Sequence, residues 1–533
     1  MTEHRFNRRQ LLGMGAKTGA GVVAAGAIGY VGHIFPSSSP AAGGTYASTG
    51  STSTTSPPSS TSAKKPAGAD TVDHFASRPD LQPPRVSVTR RAGAFRPSAG
   101  APRYVFVSPK GYQTDGPGQQ GLMMLDTAGN LVWFLPLVGS SSAPFDLQVQ
   151  TYRGKPVLTW WQGKVLAGYG EGLCHLADSS YRQIATVQAG NGLKADLHEL
   201  NLTPEGTALI TAYRTADADL SALGGPAKGQ VFACQAQEVD VATGKLLFSW
   251  DSLDHVPVTE TYAKLPTGKS KGPFDYFHIN SVSLAPDGDL LISARNTWTI
   301  YKVSRSTGKI AWRLNGKKSD FAMGKGTNFY WQHHARAHPG GELSLFDDGA
   351  SPPEEVQSRG IVLRLDTKAG QPATAQLVRQ YTHPAKLLAD NQGSMQLLGD
   401  GRVFVGWGDE PYFSEFTKDG TLVLDGRFPA DDQSYRAFTS DWTGHPTESP
   451  ALAVEGDTTG GTTVYASWNG ATELSSWVVL SGKSPSNLTA AGRSRRVGFE
   501  TVISVVSSDK WFAVAALDRQ GKEIGRSKPV QRK

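Results

Sequence analysis

The chain has 533 residues, too many for one ordinary domain, and its 38% hydrophobic residues, 60 Gly, 32 Pro and 12 Trp fit many short strands joined by tight turns. A formal charge of +6, with Lys and Arg dispersed among Asp and Glu, argues against nucleic acid as a partner. Only Cys174 and Cys234 occur, in neither a CxxC nor a zinc-ligand pattern, which excludes a disulfide scaffold and leaves at most one bridge between them.

Asn7-Arg8-Arg9-Gln10-Leu11-Leu12 precede a Gly/Ala-rich apolar stretch that ends near Phe35. Residues 1–35 therefore resemble a twin-arginine signal, which hands a folded protein to the twin-arginine export machinery and predicts a secreted or cell-envelope-associated product. No clean A-x-A site follows and Lys17 interrupts the stretch, so the leader is either removed or kept as a membrane anchor. Residues 36–80, rich in Ser, Thr and Pro, bury too little apolar surface to fold and form a linker.

Residues 81–444 are read as a repeat. One half of it is strand, Pro/Asp/Gly turn, strand: HELNLTPEGTALITA from His198, HINSVSLAPDGDLLISAR from His278, HHARAHPGGELSLFD from His333 and GSMQLLGDGRVFVGWG from Gly393. The other half is a second hairpin that often ends in Trp, as in LMMLDTAGNLVWF, VDVATGKLLFSW and YKVSRSTGKIAWRL. Two hairpins make a four-stranded sheet, and such sheets repeated along one chain predict an all-β fold, a β-propeller with room for five or six blades. Residues 445–533 show short alternating strands at immunoglobulin or fibronectin type III spacing, which predicts a small C-terminal β-sandwich; the competing reading is a last blade that closes the ring.

His198, His278 and His333 recur at one phase of the repeat, so their side chains are expected to converge at one mouth of the propeller channel. Arg295, at the end of the hairpin that starts with His278, is expected beside it as a donor fork for a tetrahedral oxyanion. Asn280 is expected to add a neutral donor on the same face. Tyr276, Phe277, Tyr330 and Trp331 are candidate walls of an aryl pocket, whereas Trp133, Trp250 and Trp312 read as packing between blades. A metal site of His198, Glu199, His278 and His333 is disfavoured because Arg295 would repel a cation, and no cofactor is expected.

The DLHEL, HINS, SAR and QHHARAHPGGELSLFDDG segments resemble those of bacterial aryl sulfate sulfotransferases, and the resemblance runs from about Pro102 to Phe428. It implies a six-bladed propeller that moves a sulfuryl group from an aryl sulfate to a phenol without a nucleotide sulfate donor, through a sulfated histidine. Carried over, His333 is the nucleophile, and His198, His278 and Arg295 are the other catalytic residues; Asn280, His334, Tyr276 and Trp331 bind substrate. A neutral imidazole can attack sulfur in line, and flanking cations can stabilise the charge on the sulfuryl oxygens. Where the family pattern has Asp directly after the nucleophile, this chain has His334, and Asp347 or Asp348 is the candidate replacement for orienting His333. The alternative function is a non-catalytic cell-envelope propeller that binds an anionic or aromatic ligand.

Overall fold

The computed structural model describes residues 71–91, 103–111, 116–137, 143–166, 168–266, 272–367, 371–429, 432–456 and 461–532. The expected signal and most of the linker lie outside the described residues. Within them, strands dominate and fall into small sheets.

Six of these sheets are propeller blades. From the channel outwards, blade 1 runs Ala437–Asp441, Arg103–Val107, Gly121–Asp126 and Leu131–Pro136. Blade 2 starts with Ala143–Tyr152, blade 3 with Leu200–Leu202, blade 4 with Ile279–Leu284, blade 5 with His333–His338 and blade 6 with Ser394–Leu397. Each then meanders outwards through three further antiparallel strands. The hairpin turns rest on residues that accept positive φ, such as Gly206 (81°) and Gly288 (85°), as tight turns require.

The strands bury both faces, so alternate residues serve different neighbours. In Arg103–Val107, Val105 and Val107 pack towards blade 6 with Phe404 and Phe413. Tyr104 and Phe106 pack towards blade 2 with Leu158 and Trp160. The same division gives one apolar cluster at each junction around the ring. Full burial of a large side chain contributes roughly 1.5–3 kcal/mol, and these clusters hold the blades together. Trp250 packs between blades 3 and 4, Trp312 meets Phe321 edge-on, and Trp133 stacks on Tyr181 at 4.9 Å. Cys174 and Cys234 are free, buried thiols in the second and third blades.

The ring closes through the pairing of Ala437–Asp441 with Arg103–Val107, Ala437 opposite Val107 and Asp441 opposite Arg103. The last propeller strand thus completes the first blade, and the residues that follow form a separate sandwich. One of its sheets contains Ala451–Gly456, Gly461–Ser467 and Glu500–Val506; the other is built on Ser476–Ser484 and Trp511–Leu517. Trp468, Trp477 and Phe512 lie between them. The sandwich is pinned to the outer edge of blade 1: Asn469 accepts from the Phe134 N–H and donates to its carbonyl, both at 2.9 Å. Gly470 N–H adds a bond to Val132 O.

Candidate active site

At one mouth of the channel a cavity is lined by Phe145, Val165, Gly168, Leu197, His198, His278, His333, Asn391, Gln392 and Tyr435. Six of these, Phe145, His198, His278, His333, Gln392 and Tyr435, each lie at or within two residues of the start of a different blade's innermost strand. The repeat thus delivers one side chain per blade to a common ring. The three histidines stand out in the sequence by residue type; Phe145, Gln392 and Tyr435 hold the same phase, and their signal was position in the repeat.

Each histidine is tied by Nδ1 to a carboxylate. His198 meets Asp196 at 2.6 Å, His278 meets Asp275 at 2.6 Å and His333 meets Asp348 at 2.8 Å. The His198 and His278 rings stand edge to face, with centroids 4.9 Å apart. His333 Nε2 accepts a hydrogen bond from the Gln392 peptide N–H at 3.3 Å. An acceptor on one nitrogen and a donor towards the other define the tautomer: Nδ1 carries the hydrogen and Nε2 the lone pair.

Burial pushes the His333 imidazole well below its ordinary pKa, and the Arg295, His278 and His198 charges act in the same direction. Burial also lowers His278, against the pull of Asp275. Burial alone would raise Asp196, but His198 and the backbone N–H groups of Gly170 and His198 hold it below its ordinary value. The site therefore keeps His333 neutral, the state in which its nitrogen can act as a nucleophile.

A buried charge network is built on Asp146, Glu199 and Arg436, the chain neighbours of the lining residues Phe145, His198 and Tyr435. Arg436 Nη1 lies 3.2 Å from both Asp146 oxygens and 3.2 Å from Glu199 Oε1. Glu199 also takes both its oxygens to Arg336 Nη2 at 2.9 Å. Two guanidinium groups thus occupy the carboxylate that a metal site would need from Glu199, and among the described residues no three His, Cys, Asp or Glu side chains are grouped to hold a metal ion.

The other expected site residues lie outside the cavity lining. Arg295 is fully buried; its backbone N–H donates to His278 O. Its Nη2 donates to Asp390 O at 2.9 Å and Ala350 O at 3.5 Å, and the guanidinium lies 4.8 Å from the Trp331 ring centre. Its charge acts on His333, lowering that imidazole's pKa. Asn280 does not face the cavity: a register break after Ile279 turns it to blade 5, where Nδ2 donates to Gln332 O at 2.7 Å.

His334 does not bind in the cavity either. Its φ of 53° and the break in pairing between His333 and Arg336 send its ring to Met395 O at 3.1 Å. Tyr276 and Phe277 enter the core between blades 3 and 4, because the chain reverses at His278 (φ 56°); the Tyr276 hydroxyl bonds Ser252 Oγ at 2.9 Å. Trp331 packs beneath Arg295 and donates to Pro352 O at 3.1 Å, and Tyr330 meets Trp298 edge-on. Aromatic walls come instead from Phe145 and Tyr435, whose rings are 5.4 Å apart.

Comparison with known proteins gives a match over residues 148–429 to the model of a family described as arylsulfotransferase (ASST). No curated protein matches the chain. Among solved structures, the chain is similar to a Bacteroides caccae protein of unknown function, with 11% identity, TM-score 0.37, and 64% of this chain and 99% of that one covered. It is also similar to the Myceliophteria thermophila Cps50 (Swd1) β-propeller domain, with 12% identity, TM-score 0.31, and coverage of 60% and 93%. A third similarity is to a catalytically inactive virginiamycin B lyase from Staphylococcus aureus with quinupristin, with 11% identity, TM-score 0.29, and coverage of 74% and 96%.

Proposed function

The chain belongs to the arylsulfotransferase family, and from that premise we propose that it transfers a sulfuryl group from an aryl sulfate ester to a phenolic acceptor through sulfated His333, without a nucleotide sulfate donor. The observation that carries this reading is the bonding of His333, with Nδ1 on Asp348 and the Nε2 lone pair at the cavity.

In the first half-reaction the Nε2 lone pair forms an N–S bond as the S–O bond of the ester breaks, and the electron pair leaves with the phenolate. Asp348, which burial pushes well above the ordinary carboxylate range against the Arg295 charge, holds the Nδ1 hydrogen and in its ionised form stabilises the positive charge that develops on the ring. Arg295, whose charge already acts on His333, stabilises the negative charge on the sulfuryl oxygens. One of His198 and His278, starting as the imidazolium, gives its proton to the phenolate and becomes neutral; it later takes the acceptor's proton as the phenol oxygen attacks sulfur and the N–S bond breaks. Phe145, Leu197 and Tyr435 provide a largely apolar wall for the aryl ring.

Mass spectrometry of the intact protein after mixing with 4-nitrophenyl sulfate, beside a His333→Ala variant, tests the reading. A transient gain of one sulfuryl group in the unmutated protein alone is the expected result. A bound aryl sulfate with no adduct and no released phenol, across several acceptors, would transfer the assignment to a ligand-binding propeller. We also propose twin-arginine export to the cell envelope or beyond, on the strength of the Asn7–Leu12 segment.

A further inference from the structure

The loop that enters blade 6 carries a strained residue with an unusually complete set of side-chain anchors. Gln392 adopts φ 73°, a left-handed conformation unfavourable for a residue with a Cβ. Its side-chain Nε2 donates to Asn391 Oδ1 at 2.7 Å and to Gln433 Oε1 at 2.8 Å. Its Oε1 accepts from Lys110 Nζ at 3.3 Å. Lys110 is 2% exposed, sits opposite Gln433 in a short strand pair, and places its amine 4.8 Å from the centre of the Phe145 ring. A buried amine is thus committed to the side chain of a cavity residue, and the conformation it secures aims the Gln392 peptide N–H at His333 Nε2.

We propose that the Gln392 peptide N–H is a donor to the sulfuryl group during transfer, and that Lys110 is the positioning residue that holds it there. The inference rests on the sulfuryl-transfer reading above. In the resting site the N–H occupies the Nε2 lone pair. When Nε2 bonds sulfur that lone pair is consumed, and the same N–H faces the oxygens of the incoming group. The backbone donor shifts from Nε2 to a sulfuryl oxygen as the N–S bond forms, and there it favours the charge that develops. When the acceptor removes the sulfuryl group, the N–H returns to Nε2 and the site is reset.

The Lys110 amine adds a dependence on pH. Burial lowers it to about 7, against which Asp409, once ionised, and Asp432 act. These two carboxylates, with neutral Gln392 and the Phe145 ring, are its surroundings. Below about 7 the ammonium form bonds the Gln392 oxygen more strongly than the neutral amine does above it, so the N–H is held best on the acid side.

The test is rapid-quench mass spectrometry of His333 sulfation by 4-nitrophenyl sulfate, with full-length wild type, Lys110→Met and Gln392→Gly. Glycine keeps the N–H and accepts the positive φ but releases the side-chain anchor, so it carries the test even if Lys110→Met is poorly folded. Both variants are expected to slow sulfation about tenfold, less than the full loss of an oxyanion donor, with the half-saturating donor concentration changed by less than about twofold. In wild type the sulfation rate falls as pH rises through about 7, and the fall is shallower in Lys110→Met. Unchanged sulfation rates in both variants overturn the proposal. Absence of His333 sulfation in wild type overturns the function reading instead.

Discussion

Asp348 Oδ2 stands 2.8 Å from His333 Nδ1 although fifteen residues separate them in the chain. The hairpin joining them pairs His333 with Phe346, which returns the chain to the histidine just before Asp348. Where the family pattern has Asp directly after the histidine, this chain brings a carboxyl group to His333 across a hairpin. Its neighbour Asp347 is committed elsewhere, to Arg359 Nε at 2.9 Å.

Asp348→Asn is expected to lower the rate of 4-nitrophenol release by about 10²–10⁴-fold. An amide that turns its NH2 towards Nδ1 forces the hydrogen onto Nε2 and removes the lone pair. Stopped-flow measurement of the first turnover checks this; a change within twofold would leave Asp348 a structural residue only.

Arg436→Met strands the buried Asp146 carboxylate, which loses both of its arginine contacts, while Glu199 keeps Arg336. Losing one partner of a buried charge network costs about 3–5 kcal/mol, so the variant should melt well below wild type in calorimetry at pH 8. Burial already raises Asp146 to about 6, against the Arg436 charge, and without that arginine it rises further. Protonation then relieves the variant, and the difference in Tm narrows as pH falls towards 5; a constant difference contradicts the account.

Asp409 is held up at about 8 by burial and by the Asp390 and Glu410 charges. A carboxyl whose folded pKa exceeds its unfolded value favours the fold at low pH, and that advantage is lost as pH rises from about 4 through 8. Asp409→Asn can keep the acceptor for the Asp390 N–H without the charge. Its Tm should match wild type at pH 4 and exceed it by on the order of 2–4 °C at pH 8.

Replacing both Arg8 and Arg9 by Lys should abolish export while the folded protein remains in the cytoplasm, as fractionation and immunoblotting would reveal. Undiminished export of the double variant would remove the twin-arginine assignment.

Much of the architecture was legible because it was repeated locally. Turns such as Pro-Glu-Gly206 and Pro-Asp-Gly288 each announce a hairpin within one short window. Blade 1 was harder to read, because its innermost strand, Ala437–Asp441, lies far from the others in sequence. The turn in blade 2 was easily missed, since it combines Gly154 (74°) with Arg153 (49°), and arginine gives no turn signal. At the site, the histidine phase was visible, but side-chain direction was not. Positive φ at His278, Trp331, His334 and Gln392 reverses the alternation a strand would impose, so Tyr276, Asn280 and His334 leave the face that simple period-two counting assigns them.

Closure of the ring by Ala437–Asp441 also sets an order of events during synthesis. The first blade to emerge from the ribosome is the last to be completed, because it waits for a strand made after all the other blades. Tyr435, one wall of the cavity, arrives with that strand. A nascent chain can therefore hold three well-folded histidine-bearing blades and still have no enclosed site, and the proposed chemistry becomes available only to a molecule whose two propeller ends have met.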